Sequence, residues 1–279
     1  PVEVAVKLLT EMTLEAAAAL WKEARTMQEF HHDNVVKMYG VANDAIPFAL
    51  VMEMVSGGSV DSFLQKNTKS TLGKRTRILL EAATGLEYLH SQNCIHRDIA
   101  ARNLLIGETT KVADFGLTRK TKSYKIDTEK PLNLRWIAPE VFETSIVNKG
   151  TDVYAYGVTI FEVLSVPYAI PYANWEASEV YQRVICKKPP ARLTAPRFVP
   201  KELTGLMKDC LGEAKSRPSF KIIISYLIVQ LRAIESMRSN EYDNNIDYQL
   251  KRAKKRAAKK EEKKGGDDDD EDEEDEDDE

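Results

Sequence analysis

Residues 96–103 read His-Arg-Asp-Ile-Ala-Ala-Arg-Asn, and residues 114–116 read Asp-Phe-Gly. Within them Asp98, Asn103 and Asp114 bear side-chain oxygens, at separations of five and eleven positions. Transfer of a phosphoryl group to a hydroxyl needs this kind of set. One group must accept the hydroxyl proton, and cations must lie across the phosphate oxygens. Asp98 suits the first task. Asn103 is a neutral oxygen ligand and Asp114 a charged one, hard donors of the kind that suit Mg²⁺. Ala-Pro-Glu at 138–140 follows as a third motif in the series. His96, beside a charged pair, reads as a satisfied core residue, because Asp98 takes the base role.

Elements with two different periods must position these residues. Val2, Val4 and Val6 alternate with Glu3, Ala5 and Lys7 in a short strand pattern. Thr13 can cap a helix running through Leu14, Ala17, Ala18, Trp21 and Ala24, and four alanines at 16–19 favour it. Val35–Val41 and Phe48–Val55 read as strands. Ser56-Gly57-Gly58-Ser59 is a break, after which the pattern turns helical: 60–66, 75–91, 152–165, 176–187, 201–211 and 219–238, with short strands at 104–106 and 110–113. This predicts an α+β architecture: a small strand-rich part over residues 1–55, a larger helical part over 56–238, and a charged, disordered tail over 239–279.

Composition narrows the function. The chain has 279 residues and 43% hydrophobic content, enough for a real core. Its net charge of −4 averages two tails, nine Lys/Arg with two Glu at 251–264 and thirteen consecutive acids at 267–279. The body between is near neutral and gives no global footprint for nucleic acid. The basic run reads as a solvated tail rather than a nucleic-acid patch, although it leaves nuclear import open. Three scattered cysteines, Cys94, Cys186 and Cys210, fit free thiols in a reducing, cytoplasmic setting. No apolar run reaches the roughly 20 residues of a membrane span. The longest, around Ile222–Val229, reads as a buried helix.

The ordered motifs resemble those of a protein kinase, and in detail a protein tyrosine kinase. Ala-Ala-Arg102-Asn resembles the tyrosine-specific catalytic loop, with Ala100 where serine/threonine kinases usually carry lysine. Arg135-Trp136-Ile137-Ala138-Pro139-Glu140 resembles the tyrosine-kinase substrate loop. Val51-Met52-Glu53-Met54-Val55 before Gly57-Gly58 is similar to the cytoplasmic Fes/Fer-like group. The resemblance implies a two-lobed fold, ATP and Mg²⁺ as nucleotide and cofactor, and tyrosine-containing proteins as substrates.

It also implies roles for single residues. Lys7, in Val-Ala-Val-Lys, would contact the α- and β-phosphates and pair with Glu23 of the first helix. Met52 would be the gatekeeper, Glu53 and Met54 the adenine hinge, and Ala5 and Leu105 the two faces around the ring. Asp98 and Arg102 would serve the catalytic loop, with Asn103 and Asp114 as metal ligands. Met27, Met38, His96 and Phe115 would stack between the lobes. Asp152 would anchor the catalytic loop from beneath, and Glu140 would pair with Arg217. Arg97 is open to two readings, structural or a clamp on an activation-segment phosphate. Tyr124, in the polar stretch Lys-Ser-Tyr-Lys, would be the phosphosite, on a loop mobile until modified.

Four features depart from the pattern. No glycine-rich loop precedes Lys7, the first glycine being Gly40, so the chain reads as truncated at its N-terminus. Asn133 stands where proline is usual, Ile137 replaces a small polar residue or methionine, and Leu211 replaces tryptophan. The rival reading is a kinase-fold fragment or pseudokinase acting as a binding scaffold.

Overall fold

A computed structural model describes residues 2–11 and 13–264, with side chains through Lys259. Strand β1 (Val4–Leu8) leads into helix α1 (Leu14–Met27), followed by β2 (Met38–Ala42) and β3 (Ala49–Glu53). The three strands form an antiparallel sheet ordered β1-β3-β2, in which Ala5 faces Met52 and Lys7 faces Leu50. Thr13 caps α1 as expected, its hydroxyl accepting from Ala16 N at 3.1 Å. The buried stripe of α1 is Leu20, Glu23, Ala24 and Met27, whereas Leu14 and Trp21 are exposed. The apolar count thus drew the face one position off, because alanines are too small to mark a side and a buried carboxylate belongs to the core stripe.

Beyond Ser56–Ser59 the chain is mostly helical: α2 (Val60–Lys66), α3 (Leu72–Ser91), then short strands β4 (Cys94–Ile95), β5 (Leu104–Ile106), β6 (Thr110–Val112), β7 (Arg119–Lys120) and β8 (Ser123–Lys125). Next come α4 (Glu140–Thr144), β9 (Ile146–Asn148), α5 (Lys149–Leu164), α6 (Ala177–Val180), α7 (Lys201–Cys210), α8 (Phe220–Ser236), α9 (Glu241–Asn244) and α10 (Ile246–Lys264). The expected helix over 176–187 is split, with a π turn at Tyr181–Cys186 after α6. Helix α8 is amphipathic rather than buried all round: Phe220, Ile223, Leu227 and Leu231 face inward, whereas Ile222 and Val229 face water.

The core runs along α3, α5 and α8, through Ile78, Leu79, Leu86, Tyr156, Ile160 and Leu227. Tyr156 and Arg75 are buried there with partners, as burial demands, whereas Thr76 Oγ1 on α3 is buried without one. Tyr156 donates to Leu79 O at 2.8 Å. Arg75, fully buried, donates to the carbonyls of Val163 and Ser165 at the C-terminal end of α5, where a cation meets the negative end of the helix. Two glycines permit close approach. A Cβ on Gly57 would lie 2.3 Å from Ile106 O, and one on Gly85 would lie 2.3 Å from Asn34 O. The second contact lets the segment before β2 lie on α3, where Val36 N donates to Val112 O at 2.9 Å.

The expectation of disorder from 239 onward is corrected through Lys264. Tyr242 is fully buried and donates to Leu164 O at 2.6 Å, Asp243 accepts from Leu72 N at 2.7 Å, and Ile246 and Gln249 are buried. Composition averaged over a strongly charged run hid this narrow docking stripe. The acidic run 267–279 lies outside the described residues.

Candidate active site

Lys7 sits on β1 and Glu23 on the inward face of α1. Lys7 Nζ donates to Glu23 Oε1 at 3.0 Å and Oε2 at 2.9 Å, and lies 3.8 Å from Asp114 Oδ1. The three sequence-predicted charges therefore converge. Glu23 is buried, while Lys7 and Asp114 are 45% and 49% exposed, so a polar ligand can reach both. Asp114 has φ of +60°, a left-handed turn that starts the Asp-Phe-Gly bend. Gly116 lies alongside: a Cβ there would be 3.5 Å from Asp114 Oδ1 and 3.6 Å from Glu23 Oε2.

Asp98 is held from several directions. Arg102 Nη2 donates to its Oδ1 at 2.5 Å, Asn133 Nδ2 to the same oxygen at 2.8 Å, and Asn103 Nδ2 to Oδ2 at 2.8 Å and to its carbonyl at 2.7 Å. The backbone of Ala113 donates to Asn103 O at 2.9 Å, which brings Asn103 beside the residue preceding Asp114. With its amide nitrogen turned to Asp98, Asn103 keeps a side-chain oxygen for another partner. Among the described residues no cluster of three or more His, Cys, Asp or Glu could hold a metal alone. An amide oxygen and one half-exposed carboxylate fit a magnesium ion that completes its shell with water and phosphate oxygens.

Asp152 supports the loop from α5, as expected. It accepts from His96 N at 2.8 Å and Arg97 N at 2.9 Å, and His90 Nε2 lies 2.9 Å away. Burial pushes its carboxyl up, but the hydrogen bond and charge of His90, with those of His96, outweigh burial and hold it below the ordinary range. His96 is fully buried, its Nε2 lying 3.0 Å from Ala113 O, a core role. Phe115 packs edge-on against His96 at 5.5 Å and tilted against Phe30 at 5.3 Å. Met27 is buried and Met38 partly so. Phe30 was not anticipated as a partner of Phe115. Glu140 and Arg217 pair through both guanidinium ends, at 2.5 and 2.9 Å.

The adenine candidates lie on β1, on and just after β3, and on β5. Ala5 and Leu105 are half-buried, as is Met52, while Met54 is 50% exposed. The Glu53 side chain is already engaged, by Lys111 at 3.0 Å and Lys37 N at 3.2 Å.

Two residues matter more than the sequence suggested. Glu162 on α5 is buried and accepts from Trp136 Nε1 at 2.8 Å, Ala101 N at 3.0 Å and Tyr168 Oη at 2.8 Å. Burial raises its carboxyl above the ordinary value despite these bonds. Its signal was a lone acid in the apolar run Val-Thr-Ile-Phe-Glu-Val-Leu. The other is Asn133, noted in sequence only as a departure. Trp136 in turn lies under Arg102, whose guanidinium is 4.5 Å from the ring.

Tyr124 is not in a loop. It lies in β8, opposite Val147 of β9, with its ring 4.7 Å from the Arg97 guanidinium and 5.3 Å from that of Arg119. Hydrogen bonding and charge from Arg119 lower its phenol below the ordinary value. Arg97 Nε, Arg119 Nε and Thr118 Oγ1 nearby are buried without hydrogen-bond partners. The polar run showed no burial period, but strand pairing needs none when both faces are solvated.

Comparison with known proteins agrees with this geometry. A family model of protein tyrosine and serine/threonine kinases matches residues 1–227. The human tyrosine-protein kinase Fer is 32% identical over 241 residues, covering 83% of this chain and 28% of that protein. The tyrosine-protein kinase transforming protein Fps of avian sarcoma virus (strain PRCII) is 34% identical over 81% of this chain and 43% of its own length. Fer-related kinase 1 of Caenorhabditis elegans is 40% identical over 58% of this chain and 42% of its own length. The chain thus spans less than half the length of these relatives. With the Lys7–Glu23–Asp114 cluster and the Asp98 loop in place, the chain belongs to the protein kinase family as a tyrosine-kinase catalytic domain.

Proposed function

We propose that the protein transfers the γ-phosphate of ATP to tyrosine hydroxyls of protein substrates. The observation that carries this reading is the meeting of Lys7, Glu23 and Asp114 beside a loop that presents Asp98. Lys7, oriented by Glu23, would hold the α- and β-phosphates. Asn103 and Asp114 would hold magnesium, which supplies charge neutralisation across the phosphates when bound. Asp98 would receive the hydroxyl proton as the new O–P bond forms and ADP leaves. Adenine would rest among Ala5, Met52, Glu53, Met54 and Leu105. The Arg102–Trp136 stack supports tyrosine as acceptor, because a long phenol needs a platform set back from the base. Tyr124 between two arginines supports its assignment as the activating phosphosite, where a phosphate would meet the unpartnered Arg97 Nε and Arg119 Nε. The three free cysteines fit a cytoplasmic setting, and no described helix is long and apolar enough to cross a membrane.

A second reading, a binding scaffold without turnover, draws on one observation. The Asp98 carboxylate already accepts from Arg102, Asn133 and Asn103, and Lys7 is engaged with Glu23. A degenerate peptide library incubated with the protein, ATP and magnesium separates the two. Phosphotyrosine in the products supports the first reading. Predominant phosphoserine would reject the acceptor assignment, and no product would leave the scaffold.

A further inference from the structure

Asn133 lies in the segment leading to Trp136, and its Nδ2 is 2.8 Å from Asp98 Oδ1. A carboxylate only accepts hydrogen bonds, so the nitrogen end of the amide must face it. Two other donors fix the same carboxylate: Arg102 on Oδ1 at 2.5 Å and Asn103 on Oδ2 at 2.8 Å. Both belong to the loop that carries Asp98. Of the three, only Asn133 comes from the segment that would receive a substrate. A carboxylate offers about four acceptor directions. Three are used, and the fourth, on Oδ2, remains for an incoming hydroxyl. Asp98, Asn133 and Trp136 also line one crevice of about 90 Å³, so the amide borders the space beside the base. A proline at this position would donate nothing.

We propose that Asn133 is a positioning residue for Asp98. Its amide turns the carboxylate so that Oδ2 faces the substrate hydroxyl, and it does so only when residues 131–137 are seated. The base thereby senses the order of the substrate platform directly. This rests on the phosphotransfer reading above and assigns Asn133 no bond chemistry of its own.

Three variants of the whole protein test it. Asn133→Ala removes the donor. Asn133→Asp keeps the shape but turns a carboxylate toward Asp98. Asn133→His keeps a nitrogen donor the same number of bonds from Cβ. Loss of one charge-assisted hydrogen bond is expected to lower kcat by about tenfold in Asn133→Ala, with KM for ATP unchanged. Asn133→Asp should lose more, and Asn133→His should recover part of the activity. A purely steric role would instead tolerate Asp and reject His. Independently of turnover, the Asn133 side-chain amide resonance, identified by its loss in Asn133→Ala, should move on Asp98→Ala. An active protein whose kcat is unchanged or raised in Asn133→Ala overturns the proposal while leaving phosphotransfer intact, and so does an amide resonance indifferent to Asp98→Ala. An inactive wild-type protein overturns the phosphotransfer reading and this role with it.

Discussion

Replacing Glu162 probes how the Asp98 loop and the Trp136 segment are joined. Its carboxylate takes three donors: Trp136 Nε1, the Ala101 backbone and Tyr168 Oη. Glu162→Ala orphans all three. A donor left unsatisfied costs about 1–3 kcal/mol, and two of these belong to partly buried rings, so a loss of about 3–5 kcal/mol is expected. That is a large share of a total that is about 5–15 kcal/mol for ordinary domains. Glu162→Gln behaves differently. Its amide oxygen can replace Oε2 for Trp136 and Ala101, and its NH₂ can donate to the Tyr168 oxygen. The pH dependence follows from the raised carboxyl. A group whose folded value lies above its unfolded one contributes stability that is full below the unfolded value and fades as pH rises through the folded one. Glu162 ordinarily titrates near 4.5, and burial moves it up. Wild-type stability relative to Glu162→Gln should therefore fall as pH rises from below about 4.5 toward neutrality, leaving the two within about 1 kcal/mol at pH 7. Urea unfolding followed by tryptophan fluorescence measures both quantities. A Glu162→Ala loss under about 1 kcal/mol, or a Gln variant as unstable as Ala, would show that the three hydrogen bonds to Glu162 do not join these segments.

Other variants extend the account. Lys7→Met should lower kcat/KM by about a hundredfold or more and also lower the urea midpoint, since it leaves the buried Glu23 carboxylate without its cation; equal activity in the folded variant would exclude the proposed nucleotide role. Arg217→Met breaks a pair whose guanidinium is almost fully buried, and calorimetry should show a loss of about 3–5 kcal/mol. In protein incubated with ATP, phosphate should appear on Tyr124, and Tyr124→Phe should stay at the basal rate; a fully active Phe variant would remove Tyr124 from regulation.

Local chemistry was the part most legible in the sequence. Asp98, Asn103 and Asp114 stood in short motifs whose spacing is set by tight turns, and Lys7 and Glu23 lay on elements with clear periods. The structure brings Lys7, Glu23 and Asp114 together. Legibility failed where a residue's role depends on distant partners. Glu162 meets Trp136, Ala101 and Tyr168 only after α5 packs beneath the Asp98 loop. The docking of Tyr242 and Asp243 was masked because two contacts outweigh the charge of the residues that follow. Tyr124 was misplaced for a similar reason, since β8 pairs with β9, which lies beyond α4.

We propose that Asp98, with Lys7, Asn103 and Asp114, performs phosphoryl transfer. Single-turnover transfer from radiolabelled ATP to a tyrosine peptide, measured beside calorimetric ATP·Mg binding for wild type and Asp98→Asn, separates chemistry from binding. Asp98→Asn should bind ATP·Mg within about threefold of wild type yet transfer at least about a hundredfold more slowly. Equal transfer by the two proteins, or none by wild type despite nucleotide binding, would rule out Asp98 as the base.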